Sequence, residues 1–567
     1  MGVLAAAMAI PACADAQSCP QPLTPGQATG PMADVRWLAD DALEGRGVGT
    51  EGGLCATAYL AARFDALGLE PGAAGGSWLQ SFPLRVGSQL TGLSRLDIGR
   101  RPIDLGSGWA PFGFSGSGNV EAPLVYAGSG VNTPGSPPPP PVDGMIVVVE
   151  AGTPGASGLY SDPHFKGTVS VGRGARGVVL LLPDGAPLPS VAGETRPFLG
   201  APVVAVAGSA AAAVREAARA GETGRLEVRV EPLNAQVSNV IALLPGSDPA
   251  LRDEVVVVGA HFDHLGRGGE GSMDPDSRSI HNGADDNASG TAGILEMARL
   301  LAAGPRPARS VLFIGFNGEE RGLLGSAHYV ANPARPLAST VAMINLDMVG
   351  RLRANTLTVY GLGTAPEWNG VLDGANPVSG PALTLSKLAD GYGPSDHASF
   401  YGRGIPVLHF FTNTHTEYHR PSDDWETVNG PGIERIAAFG AEVVRRVVGT
   451  AGTPPVTPTL VQTQPAAPPG GATAAAGTGY GPYFGSIPDM APMEHGVRIT
   501  GVREDSPAAR AGLQAGDVIV EFDGKDIADL YAFTYALREK AVGDAVAVVV
   551  LRDGKRVTVR AVLGERP

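Results

Sequence analysis

Apolar positions recur at intervals of three and four between residues 30 and 75, in "MADVRWLADDALEGRGVGTEGGLCATAYLAARFDALGLEP". A Gly-rich turn divides the run, so two amphipathic helices are expected there. From 108 to 232 the texture changes to short β-rich runs, "GMIVVVEAG", "RGVVLLLPDG" and "APVVAVAG", separated by Gly and Pro and by the stiff "SPPPPPV". This stretch reads as a small β-rich domain inserted into another. From 233 to 450 the order is strand, turn, helix, repeated through "EVVVVGAHFDHLG", "NASGTAGILEMARLLAA", "RSVLFIGFNGEE", "VAMINLDMVGR" and "GIPVLHFF". Continuous Val/Ile runs alternating with amphipathic helices predict an α/β domain whose mixed central sheet is flanked by helices.

Residues 451–479 lack aromatic and charged side chains and are rich in Pro, Ala and Thr, the composition of a semi-extended linker. Beyond it, 480–567 returns to strand-like runs. Val518, Val520 and Phe522 alternate toward one face, Asp523-Gly524 marks a hairpin turn, and "DLYAFTYALREK" is an amphipathic helix. A chain of 567 residues exceeds one hydrophobic core, and three or four domains are expected. Eighty glycines and forty-nine prolines fit many loops. A formal charge of -14 with no basic stripe excludes nucleic acid as a partner.

The first sixteen residues, apolar and Ala-rich and closing on Ala14-Asp15-Ala16, resemble the hydrophobic part and cleavage site of a secretory signal, without the usual basic leader. Export to the periplasm or the extracellular medium is the expectation. No later segment approaches the ~20 apolar residues of a membrane helix, so no membrane span is expected. Of three cysteines, Cys13 falls in the signal, where "IPAC" is a weak lipoprotein-like match. Cys19 and Cys55 remain as a disulfide pair if the compartment is oxidising.

Strand ends of an α/β sheet gather ligands because their loops converge at one edge. Here those ends carry His261, Asp263 and His264; Glu319 and Glu320; Asp347; and His415 and His419, while His281, Asp285 and Asp286 precede a helix. Singly, each has a bland account. Asp285 and Asp286 could cap the helix, the paired glutamates could complement its dipole at about 0.3–1 kcal/mol, and His261 could be a core histidine. Asp347 in an apolar strand resists dismissal, because a buried carboxylate without a partner is costly. Helix capping does not explain acidic and imidazole groups at every strand end of one sheet. Together they form a donor set suited to zinc. One ion would leave several carboxylates uncompensated, whereas two share them through a bridging carboxylate at the ~3.5–4 Å spacing of two-metal hydrolases. The adjacent glutamates then divide the work, one holding metal and one free to take a proton from water.

The motifs "GAHFDHLG", "GADDNASG", "GEERGLLGS", "NLDMVGR", "SDHASF" and "YHRPSDDWE", in this order, resemble the dizinc aminopeptidases of metallopeptidase family twenty-eight, which also includes glutamate-carboxypeptidase-type enzymes. The resemblance covers about 30–100 and 235–450. It implies a phosphorylase/hydrolase-like zinc exopeptidase fold split into 30–107 and 233–450, with two Zn2+ ions and peptide substrates. On this pattern His261, Asp285 and Asp347 hold one zinc. Asp285 bridges to the second, completed by Glu320 and His419, and Glu319 is the general base. Asp263 is placed as the carboxylate that fixes the His261 tautomer. Asp286 follows the bridging aspartate, where the family often has a strained peptide bond. His419 is preferred to His415 because His419 to Asp423 reproduces a family spacing, and the loop of His397 is assigned to the substrate pocket. The insertion 108–232 resembles a protease-associated domain by position. Residues 480–567 resemble a bacterial-protease PDZ domain, whose loop Tyr483, Phe484, Gly485 and Ser486 would cradle a peptide C-terminus through backbone N–H groups.

The reading that follows is an exported zinc aminopeptidase. A carboxypeptidase or dipeptidase on the same scaffold, a one-zinc glutaminyl cyclase relative, and a non-catalytic scaffold that binds proteins are the alternatives. The last should have lost ligands, and all five ligand positions are filled.

Overall fold

The computed structural model describes residues 19–20, 30–131, 139–153, 158–269, 271–274, 277–450, 452–461, 482–488, 493, 495–503 and 505–565. The signal segment, Cys13 and most of the linker lie outside the described residues. The chain divides into two compact units. One gathers Met1–Phe82 with Gln236–Ala466, the other Pro83–Ala235 with Ala467–Pro488 and Met493–Pro567. No described helix is long and apolar enough to cross a membrane.

The first unit is built on a nine-stranded mixed sheet. At its centre Ser310–Phe316, Val255–His261, Thr340–Leu346 and Val407–Phe411 lie side by side and parallel. Val255 to Val258 are fully buried, as expected for a sheet covered on both faces. Helices Gly290–Ala302 and Gly430–Val448 cover one face with Ile294, Met297, Ile436 and Val444. Asn429 caps the longer helix by accepting from the Gly432 N–H. Leu324–Ala331 and His397–Tyr401 contribute Tyr329, Phe400 and Tyr401 to the cluster on the other face.

The second unit contains two folds. An eight-stranded sheet has a parallel centre, Gly118–Tyr126, Ile146–Glu150, Gly177–Leu181 and Val203–Val206. Helices Pro163–Gly172 and Gly208–Ala220 complete it. The insertion is thus β-rich, with two helices added to its sheet. Its sheet also takes in Arg95–Ile98 and Arg101–Ile103, which precede the expected start at 108. The C-terminal fold is a six-stranded sheet with helices Pro507–Arg510 and Leu530–Arg538. Part of the expected linker is ordinary packed chain: Leu460 joins a core cluster of the first unit, and Thr459 donates to Glu367 at 2.9 and 2.8 Å.

Two devices tie the N-terminal segment to the first unit. Cys19 and Cys55 are bonded, 36 residues apart. Arg46, fully buried, donates to the carbonyls of Phe262 at 2.8 Å, Asn282 at 2.6 Å and Gly283 at 2.9 Å, and also to that of Leu38. Burial lowers the guanidinium to about 10, against nearby carboxylates, so it stays charged at neutral pH. Its rigid fork pins the chain on both sides of the loop between His261 and Asp285.

Cys55→Ala should lower the unfolding free energy by about 3–4 kcal/mol on the chain-entropy account of a loop this long. The loss, read from urea denaturation, should be matched by wild-type protein under reductant. Arg46→Met strands four carbonyls at about 1–3 kcal/mol each before relaxation, so a loss on the order of 3–5 kcal/mol is expected. Arg46→Lys should recover only part, because an ammonium cannot reproduce the planar fork.

Candidate metal centre

The carboxyl ends of the four central strands open on one edge. His261 closes its strand and is registered beside Phe316, which places Glu319 and Glu320 on the turn just beyond the neighbouring strand. Gly259 is registered beside Asn345, so two residues further along each strand His261 meets Asp347. His415 and His419 follow Val407–Phe411, and Asp285 and Asp286 lie on Ala284–Ser289, which leads into Gly290–Ala302.

His261 Nε2 lies 3.4 Å from Asp286 Oδ1, 3.4 Å from Asp347 Oδ1 and 3.9 Å from Glu319 Oε2. His419 Nε2 lies 3.1 Å from Asp286 Oδ2 and 3.3 Å from Glu320 Oε2. One oxygen of Asp286 thus faces each imidazole. Potential ligand atoms group as His261, Asp286 and Glu320, and as His261, Glu319 and Asp347.

The position between the imidazoles is occupied by Asp286, not by Asp285 as expected from sequence. Asp285 is turned away. Its Oδ1 accepts from Gly350 N–H at 2.6 Å and Ser289 Oγ at 2.9 Å, and its Oδ2 lies 3.1 Å from His415 Nε2. That contact also draws His415 out of the cluster, leaving His419 as the imidazole facing it. The peptide between Asp286 and Asn287 is cis. Asp423 accepts from the N–H groups of Asp285 and Asp286 at 3.0 and 3.1 Å and from Arg351 at 3.1 Å.

Asp263 also differs from its expected part. His261 Nδ1 is 3.2 Å from the main-chain oxygen of Asp263 and 3.9 Å from its carboxylate. The carboxylate instead accepts from the N–H groups of Glu319 at 3.1 Å and Glu320 at 3.4 Å, fixing the turn that presents both glutamates. Around the expected pocket loop, Asp396 and His397 are fully buried, and His397 stacks on His409 at 4.3 Å.

His264, one of the strand-end residues, has no individual role in the family resemblance. Its Nδ1 lies 2.5 Å from Glu320 Oε1, and its ring meets that of His419 at 5.7 Å. Gly283 has φ 54°, and a Cβ there would fall 2.4 Å from the imidazole, so the site is shaped around this ring. The spacing His261-x-Asp263-His264 was the available signal; on a bare strand pattern it points to no particular partner.

The electrostatics call for positive charge. Burial alone would lower His261, but Glu319, Asp347 and Asp286 hold it well above its ordinary value. Burial would lower His419 too, yet Asp286 and Glu320 push it up to about 11. Burial drives Glu319 well up, against the pull of His261, and the other carboxylates add to the rise. Burial and Asp286 favour the acid form of Glu320, but His264 and His419 outweigh them and bring it down to about 2. The carboxylates thus favour the cationic form of both imidazoles. Among the described residues, the buried His261 Nε2 and Asp347 Oδ1 have no hydrogen bond of good geometry. Imidazole and carboxylate donors with unmet demand for cationic charge fit zinc.

In the second unit, the Phe484 ring is buried against Phe522 and Phe533. Gly485 has φ 84°, and a Cβ there would stand 2.2 Å from Ser506, so only glycine fits. Ser486 opens the strand Ser486–Pro488. Phe484 is therefore a core side chain of this fold, while Tyr483 and Ser486 are half-buried.

The profile of peptidase family M28 matches residues 239–444, and that of the PDZ domain matches 483–563. Aminopeptidase YwaD of Bacillus subtilis is 32% identical over 193 residues, 32% of this chain and 38% of its own length. Leupeptin-inactivating enzyme 1 of Streptomyces exfoliatus is 30% identical over 216 residues, 38% of this chain and 44% of its own. The chain thus spans about two fifths of the length of these relatives. The structure of a zinc aminopeptidase from Bacillus subtilis aligns with 74% of this chain and 94% of its own, at 23% identity and a TM-score of 0.47. The segment 239–444 contains every side chain of the cluster around Asp286, from His261 to His419. It belongs to peptidase family M28, and residues 483–563 are a PDZ domain.

Proposed function

We propose that this chain is a zinc-dependent aminopeptidase in which His261 and Asp347 would hold one zinc ion, Glu320 and His419 would hold a second, and Asp286 would serve both. The observation that carries this reading is the Asp286 carboxylate, with one oxygen toward each imidazole at 3.4 and 3.1 Å. The names of the matched relatives support the choice of aminopeptidase over carboxypeptidase. When bound, zinc supplies Lewis-acid activation of water and of the scissile carbonyl.

The chain's own groups do the rest. Glu319 stands at the edge of the cluster, 3.9 Å from His261, and is the carboxylate left over once Asp286, Glu320 and Asp347 act as ligands. Its carboxylate takes the proton of the attacking water and returns it to the leaving amine. Asp263 keeps Glu319 and Glu320 in register by holding their N–H groups, and His264 steadies Glu320. The Cys19–Cys55 pair supports export to an oxidising compartment. The insertion is read as a protease-associated domain, and the PDZ domain as a receptor for peptide C-termini at Tyr483 to Ser486.

Glu319→Gln should keep two zinc ions per chain by elemental analysis and lose about 10²–10⁴-fold in kcat, the usual span for a general base. Asp286→Asn should lower the zinc content, whereas Asp285→Asn should retain it; the reverse result would restore Asp285 as the bridge. A panel of free and N-blocked peptides, assayed with and without chelator, should show cleavage only of free-amine substrates. Chelation should abolish that cleavage, and added zinc should restore it.

A further inference from the structure

The helix Leu530–Arg538 of the PDZ domain buries Phe533, Ala536 and Leu537 in that domain's core. At about 100° per residue, Tyr535 lies two positions past Phe533 and points away from that core. On the PDZ domain alone it would be an outward-facing tyrosine. Instead it is 8% exposed. Its ring packs edge-on against Phe165 at 5.3 Å, in a cluster with Val131 and with Tyr160 and Val169 at the margin. All of these partners belong to the inserted domain.

The hydroxyl is matched as well. Tyr535 Oη is 3.0 Å from His164 Nδ1, and His164 Nε2 is 3.1 Å from the Pro197 carbonyl. A carbonyl only accepts, so Nε2 carries the imidazole proton and Nδ1 accepts from the Tyr535 O–H. Asp162 caps the helix Pro163–Gly172 by accepting from Phe165 N–H at 2.7 Å, and so fixes the receiving surface. An aromatic anchor in a pocket, with its polar end satisfied, is the pattern of an interface hot spot.

We propose that Tyr535 is an intramolecular latch, and that the partner of this face of the inserted domain is the chain's own PDZ domain. The stretch from 462 to 481 has the Pro/Ala/Thr/Gly composition of a tether. The latch gives the PDZ domain one fixed seat, so a peptide held by that domain is carried on the inserted domain at a set place.

Hydrogen exchange of the full chain tests this without reference to zinc or turnover. Tyr535→Ala should speed exchange across Pro163–Gly172 by about tenfold or more, while Val518–Phe522 and Gly177–Leu181 stay protected. Tyr535→Phe, which keeps the ring and loses the hydroxyl, should fall between the two. Equal exchange across 163–172 in all three proteins would overturn the latch. So would loss of protection in Val518–Phe522, because Tyr535 would then belong to the PDZ core.

Discussion

Five carboxylates, those of Asp263, Asp286, Glu319, Glu320 and Asp347, crowd one edge of a buried sheet, and the first unit is organised around that charge. An ionised carboxylate withdrawn from water is costly unless it is paired. The groups at hand to pair it are imidazoles, and the carboxylates hold the pKa of both His261 and His419 above the ordinary value. A protonated imidazole cannot coordinate a metal. Loading a cation therefore exchanges protons for metal at the same atoms, and the affinity of such a site depends on pH. The crowding of carboxylates that is costly by itself makes the cluster receptive to a cation.

A crowded site keeps its geometry only if its loops are held, and the holding here is mostly side chain to backbone. Asp263 grips the turn of the paired glutamates, Asp423 grips the N–H groups of Asp285 and Asp286, and Asp285 grips Gly350. Arg46 does the converse, donating to carbonyls before and after the loop that separates His261 from Asp285. Several acidic residues of the motifs are thus structural, and their negative charge is spent on main-chain donors rather than on metal. Supports of this kind set the precision of a site more than its ligands do.

That division explains what was legible in the sequence. The strand runs and the polar residues at their ends located the edge, because a buried parallel sheet leaves few other places for such side chains. Which of two adjacent aspartates turns inward was not legible. Asp285 and Asp286 differ by one backbone step, and the choice is made by Gly350, Ser289 and His415, which are distant in sequence. That the inserted sheet takes in strands ahead of 108 was not legible for a similar reason: Arg95–Ile98 and Arg101–Ile103 are short enough to suit either domain, and only their pairing assigns them. The helix Gly208–Ala220 was lost because its apolar face is mostly alanine, a weak signal between strong strand runs. Tyr535 read as one aromatic in an amphipathic helix, since nothing local marks the surface it enters.

The two imidazoles share a further constraint that ties the ligand loops together. His261 Nδ1 faces the main-chain oxygen of Asp263 at 3.2 Å, and His419 Nδ1 faces that of Gly271 at 2.7 Å. Carbonyls accept only, so each places the Nδ1 proton and aims Nε2 at the carboxylates. The loop carrying Gly271 is bound in return, for Met273 N–H donates to the His419 carbonyl at 2.9 Å. The loop and the histidine thus clasp each other, and the Arg46 clamp at the loop's base fixes where that clasp can form. Backbone carbonyls, not side chains, thus select Nδ1 as the nitrogen that keeps its proton when each ring is neutral. Losing the Asp263 carboxylate would act on the glutamate turn and leave the His261 ring as it stands.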